Sequence, residues 1–246
     1  MGIVNVTPDS FSDGGVHLDP GRAEAAARQM IEEGAAIVDV GGESTRPGHE
    51  PVSLDEELRR VVPVLERLEG VPVSIDTSKA EVARRALALG AELVNDVTAF
   101  RADPEMAELV AQSGAWVCLM HWETTRDVAE VWRFLDERLR VATEAGIDEE
   151  RIVLDPGIGF GKTVQQNFEL VRRLPELVAL GRPVLVGFSR KSSLGRVLGD
   201  PGAKTGPLAA SVAAAVTAYE RGASILRVHD VREHVEALTV AAAVAG

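Results

Sequence analysis

The feature that most constrains the fold is an alternation repeated eight times. Short apolar runs recur at Gly2–Val6, Ala36–Val40, Val71–Ile75, Leu93–Val97, Trp116–Met120, Ile152–Leu154, Val184–Val186 and Ile225–Val228. They are rich in Val and Ile and bounded by Gly, Asp or Ser, as expected of parallel strands buried on both faces. Segments of helical period lie between them. Leu54, Leu58, Val61, Leu65 and Leu68 make one apolar stripe, and Val128, Val131, Leu135, Leu139 and Ala142 another. Gly34, Gly90, Gly146 and Gly222 stand where helix C-caps are expected. Eight strand–helix units in 246 residues predict an α/β fold, a single (β/α)8 TIM barrel. No linker-like stretch interrupts the pattern, so residues 1–246 are expected to form one domain. The active site is then expected at the C-terminal ends of the strands, which makes the residues closing each run the candidates.

Those residues are Asn5, Asp39, Asp76, Asn95 with Asp96, His121, Asp155, Ser189 with Lys191, and Arg227 with His229. Turn and cap chemistry accounts for part of this polarity. Polar groups at all eight ends, several with apolar neighbours on both sides, indicate a site. Two chemistries separate. Arg227 and His229, two apart on one strand face, can meet Asn5, Thr45 and Arg46 where the barrel closes, giving a phosphate-type anion site. Opposite them, Asp76, Asn95 and Asp155 converge on a pocket expected to be lined by Val97, Met120 and Phe160. That set suits a flat heterocycle with several N–H donors, and Lys191 can bond a ring oxygen or nitrogen. Ser192, at the start of a helix, offers its hydroxyl to a carboxylate.

Composition narrows the partners. A net charge of −12 argues against nucleic acid, and no apolar run is long enough for a membrane span. With one cysteine, Cys118, no intramolecular disulfide can form, and a cytoplasmic location is expected. Cations collected around one mouth of an acidic protein point to an anionic small-molecule substrate.

One motif invites a different reading. "LDPGIGFGKT", Leu154 to Thr163, ends like a phosphate-cradling P-loop. Pro156 occupies the position of the first required glycine, and Lys162 stands where a dinucleotide fingerprint needs its third. Neither nucleotide motif is satisfied, and Lys162 is read as a surface or helix-start lysine. Histidines are scattered without metal-ligand spacing, so zinc is not expected, and His121 is read as a strand-end hydrogen-bonding group. Magnesium is expected through Asn5, sharing its coordination with substrate phosphate and water.

"NVTPDSFSDGG", "DVGGESTRPG", "SIDTSKAEVA", "NDV", "LDPGIGFGK", "GFSRKS" and "RVHDV", in this order, resemble the dihydropteroate synthase family of pterin-binding barrels. The resemblance implies condensation of 6-hydroxymethyl-7,8-dihydropterin diphosphate with p-aminobenzoate, releasing pyrophosphate with Mg²⁺, in a homodimer that sulfonamides inhibit. It implies a catalytic set of Asp76, Lys191, Arg227 and His229. Asp76, Asn95, Val97, Met120, Asp155, Phe160, Gly187, Lys191 and Arg227 would bind the pterin. Asn5 as metal ligand would join Thr45, Arg46, Arg227 and His229 around the diphosphate. Phe11, Pro47, Lys191 and Ser192 would bind p-aminobenzoate, and Asp9, Ser44 and Arg46 belong to mobile loops.

Trp122-Glu123 and Lys204 depart from the family pattern. The chain also begins on the first strand, where the family carries a leading segment, so a less filled lower barrel end is expected. Two other readings compete: an inactive synthase-like partner, and the pterin-binding barrel of folate–corrinoid methyltransferases. The first expects damaged loops, and the second lacks the "STRPG" and "SRKS" loops present here.

Overall fold

The computed structural model describes residues 1–7, 19–44 and 51–246. Its strands are β1 (Gly2–Asn5), β2 (Val38–Gly41), β3 (Val73–Asp76), β4 (Leu93–Asp96), β5 (Trp116–Met120), β6 (Ile152–Asp155), β7 (Leu185–Val186) and β8 (Ile225–Leu226). β1 to β6 form a parallel sheet in sequence order, and β7 pairs with β8. Parallel bridges Leu154↔Val184 and Gly2↔Val228 join the two sheets at both seams and close the (β/α)8 barrel. The helices are α1 (Pro20–Glu32), α2 (Leu54–Leu65), α3 (Ala80–Ala88), α4 (Met106–Ser113), α5 (Val128–Glu144), α6 (Val164–Arg172), α7 (Leu174–Val178), α8 (Ser192–Val197), α9 (Leu208–Glu220) and α10 (Val231–Ala245).

The near-continuous apolar runs serve two cores. Outward strand residues such as Val40, Ile75, Val94, Leu119 and Leu154 pack with Ala27, Val61, Ala83, Leu135 and Leu170 of the helices. Inside the barrel, Leu93, Cys118, Val153 and Leu185 form a second cluster with Met1, Ile37 and Ile225. These side chains lie toward the N-terminal ends of the strands, where Met1, Ile37 and Ile225 are only partly buried.

Local chemistry fixes the helix ends. Asp19, Ser53 and Asp127 accept backbone N–H bonds at the starts of α1, α2 and α5. Gly34, Gly90, Gly146 and Gly222 all take positive φ just beyond helices, as their C-cap reading requires.

Pairing register sets which residues face inward, because residues paired across parallel strands share a face. Asn5, Gly41, Asp76 and Asn95 are linked by successive pairs, and Met120 pairs with Asp155. Inward-facing polar groups therefore gather at the C-terminal rim, above the apolar cluster.

Candidate active site

A buried network occupies the centre of this rim. The Asp39 carboxylate, fully buried, accepts from Arg227 Nε at 2.6 Å, Ser74 Oγ at 2.6 Å and Asn95 Nδ2 at 3.0 Å. Arg227 Nη2 donates to Asp76 Oδ2 at 2.9 Å. Asp76 Oδ1 is buried and has no partner among the described residues. A buried carboxylate oxygen without a donor is costly to maintain, and here it points to a ligand.

Electrostatics follow from geometry. Burial, reinforced by Asp39 and opposed by Arg227, pushes the Asp76 carboxyl up to about 7. Asp155 accepts from the Gly157 N–H at 2.7 Å, yet burial still raises it to about 6. Several carboxylates around one guanidinium repel one another in a medium that hydrates them poorly. Neutral N–H donors of a bound heterocycle would offset that repulsion by hydrogen-bonding the carboxylates.

Asn95 and Met120 are buried at the rim, with Val97 just beyond β4. Lys191 N-caps α8, and its ammonium stands 4.1 Å from the centroid of the Phe160 ring. Gly159 lets the loop after β6 come this close, since a Cβ there would lie 2.8 Å from Lys191 Cδ. Gly187 follows β7, where a Cβ would meet Arg227 Cβ at 3.8 Å. Ser192 opens α8.

His229 stands two residues beyond Arg227, against Ser189. Its backbone N–H donates to Ser189 Oγ at 3.2 Å, and its Nδ1 lies 3.1 Å from the same oxygen. Burial and nearby cations lower it to about 4, so the ring is neutral near pH 7. Arg190, between Ser189 and Lys191, adopts φ 57° and pairs with Asp230. Asn5 ends β1 half-buried, and Ser44 is half-buried beyond β2. Asp9, Phe11, Thr45, Arg46 and Pro47 lie outside the described residues.

One expectation needs correction. Lys162 is not a surface lysine: its ammonium donates to His121 O at 2.6 Å and lies 2.8 Å from His121 Nδ1. Burial lowers it to about 7. The loop turns back because Gly157, at φ 71°, passes so close to His121 O that a Cβ would sit 1.8 Å from it. The Arg227 guanidinium, expected to serve both the pterin and the diphosphate, is drawn between Asp39 and Asp76 on the carboxylate half of the site.

The phosphate-loop look of Leu154–Thr163 is explained by a capping box. Thr163 Oγ1 accepts from the Gln166 N–H at 3.2 Å, and Gln166 Oε1 accepts from the Thr163 N–H at 2.8 Å. These bonds occupy N-terminal amides of α6 that a phosphate-binding helix would leave open. Sequence reasoning placed Asp39 at a strand end but gave it no role. Its central position required knowing that Ser74, Asn95 and Arg227 converge on it.

The family model described as pterin binding enzyme matches residues 1–229 of this chain. The chain belongs to the pterin-binding enzyme family. Within that family it is similar to the dihydropteroate synthase of Mycobacterium leprae, 51% identical over 99% of this chain and 92% of that protein. Among solved structures, it is similar to Xanthomonas albilineans dihydropteroate synthase with 4-aminobenzoic acid. That structure is 50% identical, with TM-score 0.92, over 100% of this chain and 92% of the other. The same enzyme in complex with 7,8-dihydropteroate gives 49% identity and TM-score 0.90 over the same shares.

Proposed function

We propose that this barrel catalyses dihydropteroate synthesis, joining 6-hydroxymethyl-7,8-dihydropterin diphosphate to p-aminobenzoate with release of pyrophosphate. The observation that carries the assignment of the site is the buried Asp76 Oδ1, unpartnered among the described residues, on the same rim as its strand neighbour Asn95 and the buried Asp155. Asp76, Asn95 and Asp155 take the donor edges of the pterin. Val97, Met120 and Phe160 line its faces, Gly187 leaves room for it, and Lys191 bonds the ring.

The C–O bond between the pterin methylene and the diphosphate breaks first, its electron pair leaving with pyrophosphate. Ionised Asp76 stabilises the positive charge left on the pterin, and Arg227 keeps that carboxylate oriented. The aniline nitrogen, neutral at pH 7, forms the new C–N bond and then loses a proton to solvent. No strong general base is required. Neutral His229, through its ring N–H, assists Arg227, Thr45 and Arg46 at the diphosphate. Ser192 and Lys191, with Phe11 and Pro47, hold p-aminobenzoate, which sulfonamides mimic; Asp9 and Ser44 belong to the loops that cover it.

Asn5 is one neutral oxygen donor, and no group of three His, Cys, Asp or Glu side chains is disposed to hold a metal among the described residues. That donor chemistry fits Mg²⁺ brought in with the diphosphate, with Asn5 as its protein ligand. Bound there, the ion would offset charge on the departing pyrophosphate. Residues 1–246 are read as one catalytic domain acting as a homodimer in the cytoplasm. No helix among the described residues is long and apolar enough to cross a membrane.

The deciding assay is dihydropteroate formation from the two substrates with Mg²⁺. Tight pterin binding without product would instead identify an inactive synthase-like partner.

A further inference from the structure

Asn167 lies inside α6, yet its amide bonds nothing in that helix except through its backbone. Its Oδ1 accepts from the Gly159 N–H at 2.8 Å, and its Nδ2 donates to Ser193 Oγ at 2.8 Å. It is 1% exposed, on the same helix as the fully buried Leu170. Asparagine is a poor helix former, and an apolar side chain would fill such a position at lower cost. The two bonds explain the amide. Gly159 adjoins Phe160 on the loop after β6, and Ser193 lies in the first turn of α8, just beyond its N-cap Lys191. Phe168, the next residue of α6, packs on Phe188 with ring centroids 5.3 Å apart, at the same junction. One amide thus ties the loop after β6 to the start of α8, the two segments that bring the Lys191 ammonium over the Phe160 ring.

We propose that Asn167 is a positioning residue that sets the spacing between the pterin-facing and aminobenzoate-facing loops, and so couples the two subsites. The proposal rests on the reading that Asp155 and Phe160 hold the pterin while Lys191 and Ser192 hold the aminobenzoate. A tie of this kind acts on substrate geometry. A filler would act on stability alone.

The test compares Asn167→Leu, Asn167→Asp and Ser193→Ala with the unaltered enzyme by steady-state kinetics for each substrate, pterin binding and thermal melting. Asn167→Leu is expected to raise KM for both substrates, roughly tenfold for p-aminobenzoate, for two buried hydrogen bonds lost. Asn167→Asp, whose carboxylate can accept from both Gly159 and the Ser193 hydroxyl, should recover part of that loss. Ser193→Ala breaks one bond only and should raise chiefly the aminobenzoate KM. In Asn167→Leu, adding Ser193→Ala should cost little more. A folded Asn167→Leu with both KM values within about twofold of the unaltered enzyme would overturn the proposal. If Asn167→Leu does not fold, an unchanged aminobenzoate KM in folded Ser193→Ala overturns it equally. Failure of the functional reading is distinct: the unaltered protein would itself make no dihydropteroate.

Discussion

Asp76 and Asp155 carry a conflict between binding and folding. Both carboxyls are raised, Asp76 to about 7 and Asp155 to about 6, chiefly by burial. In the unfolded chain they ionise near 4. Between those limits the folded protein holds more protons than the unfolded one, so stability falls as pH rises through this window, then levels above about 7. Ligand binding runs the other way, because an ionised carboxylate offers both oxygens to the pterin's N–H groups, whereas a protonated one accepts more weakly and must place its own O–H. Pterin affinity measured calorimetrically should therefore increase from pH 5.5 to 7.5 while the melting temperature of the free protein declines. Parallel trends would count against these groups as pterin acceptors. Asp76→Asn should lower kcat at least ~100-fold and leave the barrel folded, with a melting temperature at pH 8 equal to or above that of the unaltered enzyme. Lys191→Ala should abolish turnover to a similar degree, since it removes both a ring ligand and the cation over Phe160. Near-normal rates in either variant would remove that residue from the mechanism.

At the scale of elements, the stability of the rim depends on charges buried between strand and helix. Glu57 of α2 is fully buried, accepts from Thr77 Oγ1 at 2.7 Å and pairs with Lys79, which also pairs with Glu43 beyond β2. Arg60 of the same helix donates to Gly42 O at 2.8 Å. The chain leaving β2 is thereby fastened to α2 and the start of α3. Lys79→Met leaves Glu57 buried without its cation and should cost about 3 kcal/mol, read as a lower melting temperature and urea midpoint. A change under about 0.5 kcal/mol would mean that Thr77 satisfies Glu57 alone.

Much of this architecture was legible. Eight apolar runs and their polar ends predict the barrel and its mouth because parallel strands buried on both faces leave little freedom in residue choice. Asp76, Asn95 and Asp155 stood out because they close those runs among apolar neighbours. The roles of Lys79, Lys162 and Asn167 were not legible. Each acts by reaching a different loop, and a pairing such as Lys162 with His121 has no sequence period. Asp96 illustrates the same limit. It closes β4 beside Asn95 but turns outward, accepting from Thr98 N at 2.8 Å and Phe100 N at 2.7 Å. There it holds a turn in which Ala99 and Phe100 take positive φ.

For the whole molecule, the unequal treatment of its helices bears on assembly. The apolar sides of α2 and α5 face the barrel, whereas α9 and α10 pack on each other and still leave apolar side chains in solvent. Val240 and Val244, one turn apart on α10, are 64% and 83% exposed. Leu208 and Tyr219 of α9 share a helical face and are also exposed, as are Val197 and Leu198 near the end of α8. Exposed apolar side chains gathered on consecutive helices mark an association surface more often than a solvent face. A symmetric dimer would bury such a surface against its own copy, with small alanines of α9 and α10 allowing close helix approach. This surface is separate from the mouth, so association and catalysis can be varied independently. If the proposed homodimer uses this face, Val240→Glu/Val244→Glu would place like charges across its two-fold contact, and the double variant should sediment as a monomer where the unaltered protein sediments as a dimer. The isolated barrel should still bind pterin, because the carboxylates, Lys191 and Arg227 of the site all come from one chain. A double variant that sediments as the unaltered protein does would exclude this face of α10 from the interface.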